Sequence, residues 1–248
     1  MESLLNFQTM ITELTGLPLA NASLLDESTA AAEAMAMAYA SSKMKRHTFI
    51  IDKNIYPQTA AVIRGRAEGF GIKVVETDTT ANPSILSENK DDLIGVLVQY
   101  PRKDGKIVDY KNISDTVHSY GGQLICSADL LALTILAPPS TFNADIVVGS
   151  AQRFGVPMGF GGPHAAFFAC SDENKRKLPG RLVGVSKDRL NGRAFRLSLQ
   201  TREQHIRREK ATSNICTSQA LLANMSAFYA IYHGPEVYSR YDRVDCRD

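Results

Sequence analysis

With 248 residues, 44% of them apolar, the chain is long enough to bury a core of its own, as one large domain or one domain with a fragment of another. Its formal charge of +2 is too small to imply nucleic acid or an anionic membrane surface as a partner. No apolar run approaches the roughly 20 residues that a membrane-spanning helix needs. Cys126, Cys170, Cys216 and Cys246 lie far apart without C-x-x-C spacing, which predicts reduced thiols in a soluble intracellular protein and no metal site.

Leu4, Leu5, Phe7, Met10, Ile11 and Leu14 recur at three- and four-residue spacing and predict a first helix that ends at Gly16, a residue suited to a left-handed cap. This amino-terminal stretch carries acidic residues and an amphipathic pattern, so it reads as neither a signal nor a transit peptide. Asp26, Glu27, Ser28 and Thr29 precede the alanine-rich run Ala30 to Ala40, predicting a second helix with capping side chains and acidic residues in its first turn. The pattern then alternates: strand 47–51, helix from Pro57 to about Gly69, strand 72–77, strand 94–100, helix near 109–119 and strand 123–127. Strands are expected again at 145–150, 165–170, 181–186 and 194–200, with a last helix from Ile215 to His233 that stops at Gly234. Short apolar strands separated by helices predict an α/β domain with a mostly parallel sheet covered on both faces.

Ligands of such sheets collect at the carboxyl ends of strands, so the following loops hold the candidates. Ser28 and Thr29 open a helix, where hydroxyls and free N–H groups can cradle a phosphate. An ordinary helix cap is the favoured reading of the residues alone, and Asp26 and Glu27 oppose an anion. The loop GFGGPH between two strands tolerates no regular structure; its glycines permit close passage beneath a ligand or tight packing under a neighbouring strand. His164 in that loop reads more readily as a neutral histidine satisfied by backbone than as a functional group. Arg202, His205, Arg207, Arg208 and Lys210 are interleaved with Glu203 and Glu209, which on its own describes a solvated charged face.

Three segments change the weighting: VGSAQRFGVPMGFGGPHAAFFA, PGRLVGVS and QTREQHIRREKATSNICTSQALLANMSAFYAIYHGPE. Together with ESLLNFQTMITELTGLPLANASLLDESTAAAEAM, the VQYP run and the run from Asp129, they resemble the amino-terminal half of the glycine cleavage P-protein family over about residues 2–236. The resemblance implies the large domain of a fold type I pyridoxal-phosphate (PLP) transferase without its small domain, in a family of decarboxylating glycine dehydrogenases. Such proteins comprise two homologous halves, fused or separate, and the carboxyl-terminal half holds the Schiff-base lysine. Gln152, Arg153 and Phe154 stand here where that half has lysine, threonine and phenylalanine, so no imine is expected on this chain. Glu27, Ser28 and Thr29 replace its asparagine, serine and glycine at the phosphate loop. Tyr56 falls where an aromatic ring covers the cofactor.

By the same resemblance Thr201, Arg202, His205 and Asn214, with Arg207 and Arg208, are expected to form a strap at the partner's active site, and His164 is a secondary candidate. The implied partners are the lysine-bearing half, the lipoylated H-protein and glycine. The implied compartment is the mitochondrial matrix in a eukaryote or the cytoplasm in a bacterium. After Glu236 the family pattern stops, so 237–248 is expected to be a polar tail without regular structure on a truncated chain. Two other functions stay open: a self-sufficient PLP enzyme such as an aminotransferase or desulfurase using Lys175, Lys177, Lys187 or Lys210, and a non-catalytic interaction or regulatory fragment.

Overall fold

The computed structural model describes residues 1–198, 208, 211, 213, 215 and 218–245, the stretch 236–245 by its backbone alone. Helix α1 spans Glu2–Thr15 and buries Phe7 and Ile11. It ends as expected at Gly16, whose φ of 71° lets its N–H reach Thr12 O. Strand β1 (Leu19–Ala20) follows, then α2 (Glu27–Ser41). Asp26 caps α2, accepting the Thr29 N–H at 2.9 Å and the Thr29 hydroxyl at 2.6 Å. Ala30, Ala31, Ala32 and Ala34 are fully buried, and their methyl side chains allow the helix to lie close on its neighbours. Asp26→Ala is expected to cost about 1 kcal/mol by removing the cap, read as a lower urea midpoint; an unchanged midpoint would show the cap to be idle.

The remaining elements of the main layer are β2 (Thr48–Asp52), α3 (Pro57–Phe70), β3 (Lys73–Thr77), α4 (Ser84–Glu88), β4 (Leu93–Tyr100), α5 (Lys111–Ser119), β5 (Gln123–Ala128), β6 (Ile146–Ser150) and β7 (Ala166–Cys170). Seven strands form one sheet in the order β1-β7-β6-β5-β4-β2-β3. Strands β2 to β6 pair in parallel, whereas β7 runs antiparallel to β6 and β1 antiparallel to β7. The connection from β6 to β7 holds no helix to carry the chain back across the sheet, so the chain returns antiparallel.

Alternate residues on the strands serve opposite faces. Val147 and Phe167 join one buried cluster with α1 and α5, while Ile146, Val148 and Phe168 join another with α2 and α3. Both sheet faces are thereby covered, the reason β4 is buried along its whole length.

Strands β8 (Leu182–Lys187) and β9 (Arg193–Ser198) occur where strands were expected but form a separate antiparallel hairpin. The Gln8 amide ties it to α1, donating to Val183 O at 3.1 Å and accepting the Val183 N–H at 2.8 Å. The last helix, α6, spans Ala220–Asp245 with non-helical backbone at Gly234 (φ 66°, ψ 172°). It thus begins later than Ile215. Gly234 turns the helix rather than ending it, because Pro235 is pre-set for the first turn of a new helical stretch. The backbone runs on as helix to Asp245, through residues whose composition predicted no regular structure. Among the described residues no helix is long and apolar enough to cross a membrane.

Candidate functional site

The carboxyl ends of β4, β5 and β6 meet the amino ends of α2 and α3, the place where parallel sheets receive ligands. Strand β4 contributes Gln99, which is 1% exposed. Strand β5 contributes Ser127, with Asp129 just beyond. Gln152 follows β6, Glu27 opens α2, and Tyr56 precedes Pro57 at the start of α3.

Ser127 Oγ donates to Glu27 Oε1 at 2.6 Å. Burial pushes the Glu27 carboxyl up from its ordinary value; hydrogen bonds from Ser127 and Gln99 oppose this, and the charges of Asp129 and Asp26 add to it. Asp129 is ion-paired with Arg153 and accepts the Leu131 N–H at 3.0 Å. Burial likewise raises the Tyr56 phenol, helped by the charges of Glu27 and Asp129 and opposed by that of Arg153. The amide oxygen of Gln99 is buried without a hydrogen-bond partner among the described residues.

Gln152 turns back on its own loop. Its side-chain Nε2 donates to Val156 O at 3.0 Å, and the Val156 N–H donates to Gln152 O at 3.2 Å. Phe154 is buried, edge-on to Tyr229 of α6. Gly155, at φ 71°, passes so close to Tyr229 that a Cβ there would lie 2.3 Å from the ring, and Ser226 Oγ donates to Ala151 O at 3.3 Å. Helix α6 therefore braces the turn that carries Gln152. The rest of the glycine loop behaves differently: Gly159, Gly161 and Gly162 have open space beside them, and Met158 and Phe160 are 90% and 107% exposed. Among the described residues this part of the loop packs under no strand.

A PLP phosphate does not fit these residues. The Ser28 hydroxyl is paired with Thr59 at 3.1 Å, and the Thr29 N–H and hydroxyl are both taken by Asp26. Glu27 adds a carboxyl where a dianion would need donors. The cap is Asp26, and Ser28 and Thr29 stand in the first turn of α2, bonded to Thr59 and to Asp26.

His164 is exposed at the end of the loop before β7. Arg208 is exposed, with φ of 51°. Thr201, Arg202, His205, Arg207 and Asn214 lie outside the described residues. The structure thus assembles Glu27, Tyr56, Arg153 and the start of the Gln152 turn, and adds Gln99, Ser127 and Asp129. Their signal was present: polar side chains ending otherwise apolar, buried strands.

Glu27→Gln keeps an acceptor oxygen for Ser127 and removes the buried charge. Because the folded-state pKa is raised, the contribution of protonated Glu27 is full below its ordinary value of 4.5 and is lost as pH rises through the folded value. The variant is expected to be more stable at pH 7–8 by on the order of 1 kcal/mol, with no gain at pH 4. Urea melts across pH check this; equal destabilisation at every pH would assign Glu27 a packing role instead.

The family model of the glycine cleavage system P-protein matches residues 1–243. A putative mitochondrial glycine dehydrogenase (decarboxylating) of Schizosaccharomyces pombe is 62% identical over 95% of this chain and 23% of its own length. The mitochondrial glycine dehydrogenase (decarboxylating) 1 of Arabidopsis thaliana is 59% identical over 95% of this chain and 22% of its own. The crystal structure of a glycine decarboxylase (P-protein) of the glycine cleavage system, in inhibitor-bound form, superposes with a TM-score of 0.90 at 39% identity, covering 96% of this chain and 54% of that one. The chain spans less than a quarter of the length of the two glycine dehydrogenases. It belongs to the glycine cleavage system P-protein family.

Proposed function

We propose that this chain is the part of a P-protein that carries no Schiff-base lysine, and that it serves glycine decarboxylation only together with a lysine-bearing half. One observation carries the reading: at the carboxyl end of β6 stands Gln152, a carboxamide that cannot form an imine and whose Nε2 is spent on Val156 O. The neighbouring Glu27–Ser127 and Asp129–Arg153 pairs support it, because they satisfy one another where a bound anion would need donors. PLP then belongs to the partner half, where decarboxylation of glycine and transfer of the aminomethyl group to the lipoylated H-protein take place.

The contribution of this chain is a surface. The exposed Met158 and Phe160 and His164 lie on the loop that follows the candidate site, and Thr201, Arg202, His205, Arg207, Arg208 and Asn214 follow β9 in sequence. We assign the contact with the partner's active site to this loop and this stretch: apolar tips supply buried area and arginines supply bidentate contacts to carboxylates or a phosphate. The relatives' mitochondrial designation supports the matrix as the working compartment in a eukaryote.

Borohydride reduction in the presence of PLP tests the assignment. The lysine-bearing half is expected to retain a reduced pyridoxyl group and this chain none. Stoichiometric labelling of this chain at Lys175, Lys177, Lys187 or Lys210 would overturn the proposal in favour of a self-sufficient PLP enzyme.

A further inference from the structure

Helix α6 rests on α1 and on the turn Ala132–Thr134 through small side chains: Ala223, Ser226 and Ala227 are buried, and Ala230 lies against the same cluster. Its large side chains face the other way. Leu221, Phe228, Ile231 and Tyr232 are 70%, 57%, 62% and 86% exposed. With the partly exposed Met225 they recur at spacings of three, four and seven residues. That is the period of a seam that receives another helix, carried over about three turns. A surface helix ordinarily bears charge on the face away from the core, yet Ala220–Pro235 contains no Asp, Glu, Lys or Arg.

Size and charge together point to the occupant. At roughly 200 Å² for a large side chain, the four exposed residues present on the order of 500 Å², the upper part of the range for the largest apolar patch on a monomer. Two such faces bury about 1,000 Å², the least that a specific interface needs. A twofold pairing sets residues near the axis close to their own copies, so any charge there would meet a like charge. The uncharged stretch 220–235 meets that condition, whereas a charged partner would find no counterpart on it. Antiparallel helices also bring opposite dipole ends together. We propose that the outward face of α6 is a self-association surface. A second copy of this chain lays its own α6 against it, antiparallel about a twofold axis, with Met225 opposite Phe228 and Leu221 opposite Tyr232.

The surface needs neither PLP nor a lysine-bearing half, so its test is independent of the proposed function. Sedimentation equilibrium of the chain alone, from about 1 to about 200 µM, is expected to show a reversible dimer with a Kd on the order of 10–100 µM, in keeping with a small interface. Phe228→Glu brings two carboxylates near the axis and should weaken dimerisation at least about tenfold. Leu221→Lys should weaken it similarly. Adding Tyr232→Glu to Leu221→Lys should regain about fivefold through two symmetric ion pairs, a rescue that a folding defect or a parallel register would not give. A chain that stays monomeric at the highest concentration overturns the proposal, as does a folded Phe228→Glu protein that dimerises like the parent. So does a lysine-bearing half that dissolves the dimer into a one-to-one complex weakened by Phe228→Glu, since the face would then belong to that half.

Discussion

Exchange of bicarbonate with the carboxyl group of glycine is expected to stay at background for this chain alone and to rise by at least about 10³-fold once a lysine-bearing half is added, a modest part of the acceleration enzymes achieve. The expectation follows from chemistry at one position. Covalent capture of the cofactor needs an amine that can attack a carbonyl, and Gln152 offers an amide already bonded to Val156 O. The crevice beside it is acidic, with Glu27 and Asp129 satisfied by Ser127 and Arg153. Gln152→Lys alone is therefore expected to leave the isolated chain inactive, because the carboxyl at Glu27 and the occupied hydroxyls of Ser28 and Thr29 remain. In the mixture, replacing the exposed apolar tip by Phe160→Ser should weaken association about tenfold, the size of effect typical of a buried aromatic anchor. Activity of the chain without a partner would sink the reading, as would a mixture no more active than the lysine-bearing half by itself.

Phe167→Ala is expected to lower stability by about 3–5 kcal/mol, the largest single-residue effect foreseen. Phe167 is fully buried on β7, opposite Gly149 of β6. Its ring fills the space that Gly149 leaves empty: a Cβ at Gly149 would lie 2.6 Å from the ring and 2.2 Å from Ala128 O. The pair joins the carboxyl end of β6, which carries the Gln152 turn, to the antiparallel edge of the sheet. Removing the ring leaves a cavity that the backbone cannot close without breaking the β6–β7 ladder. With a urea m-value of about 3 kcal/mol/M the midpoint should fall by about 1–1.7 M. A shift below about 0.3 M would mean that the site collapses freely and that Gly149 is small for another reason.

Much of the fold was legible because its causes are local. The three- and four-residue apolar spacing of α1, the left-handed cap at Gly16 and the Asp26 cap of α2 each depend on residues within a turn of one another. The parallel strands appeared as short, largely apolar runs because helices cover both sheet faces. The direction of β7 and the separation of β8 and β9 into their own hairpin had no such local cause, since an apolar strand reads the same whichever way it pairs. Helix α6 was placed too early and stopped too soon: the apolar Ile215 ahead of it reads as a first helical position, and a glycine reads as an end unless the restart after it is seen.

The candidate site divides in the same way. That position 152 carries a carboxamide and not an amine is a covalent fact, which no folding changes, and the sequence by itself determined it together with the likeness to the P-protein family. That Glu27 is hydrogen-bonded to Ser127, 100 residues later, and that Asp129 is ion-paired with Arg153, only the tertiary structure decided. Strand order brings these residues to one end of the sheet, and burial there raises the Glu27 carboxyl and the Tyr56 phenol. The physical reason is that reactivity of a single residue is written in its side chain, whereas charge balance in a crevice depends on which distant residues the parallel strands set side by side.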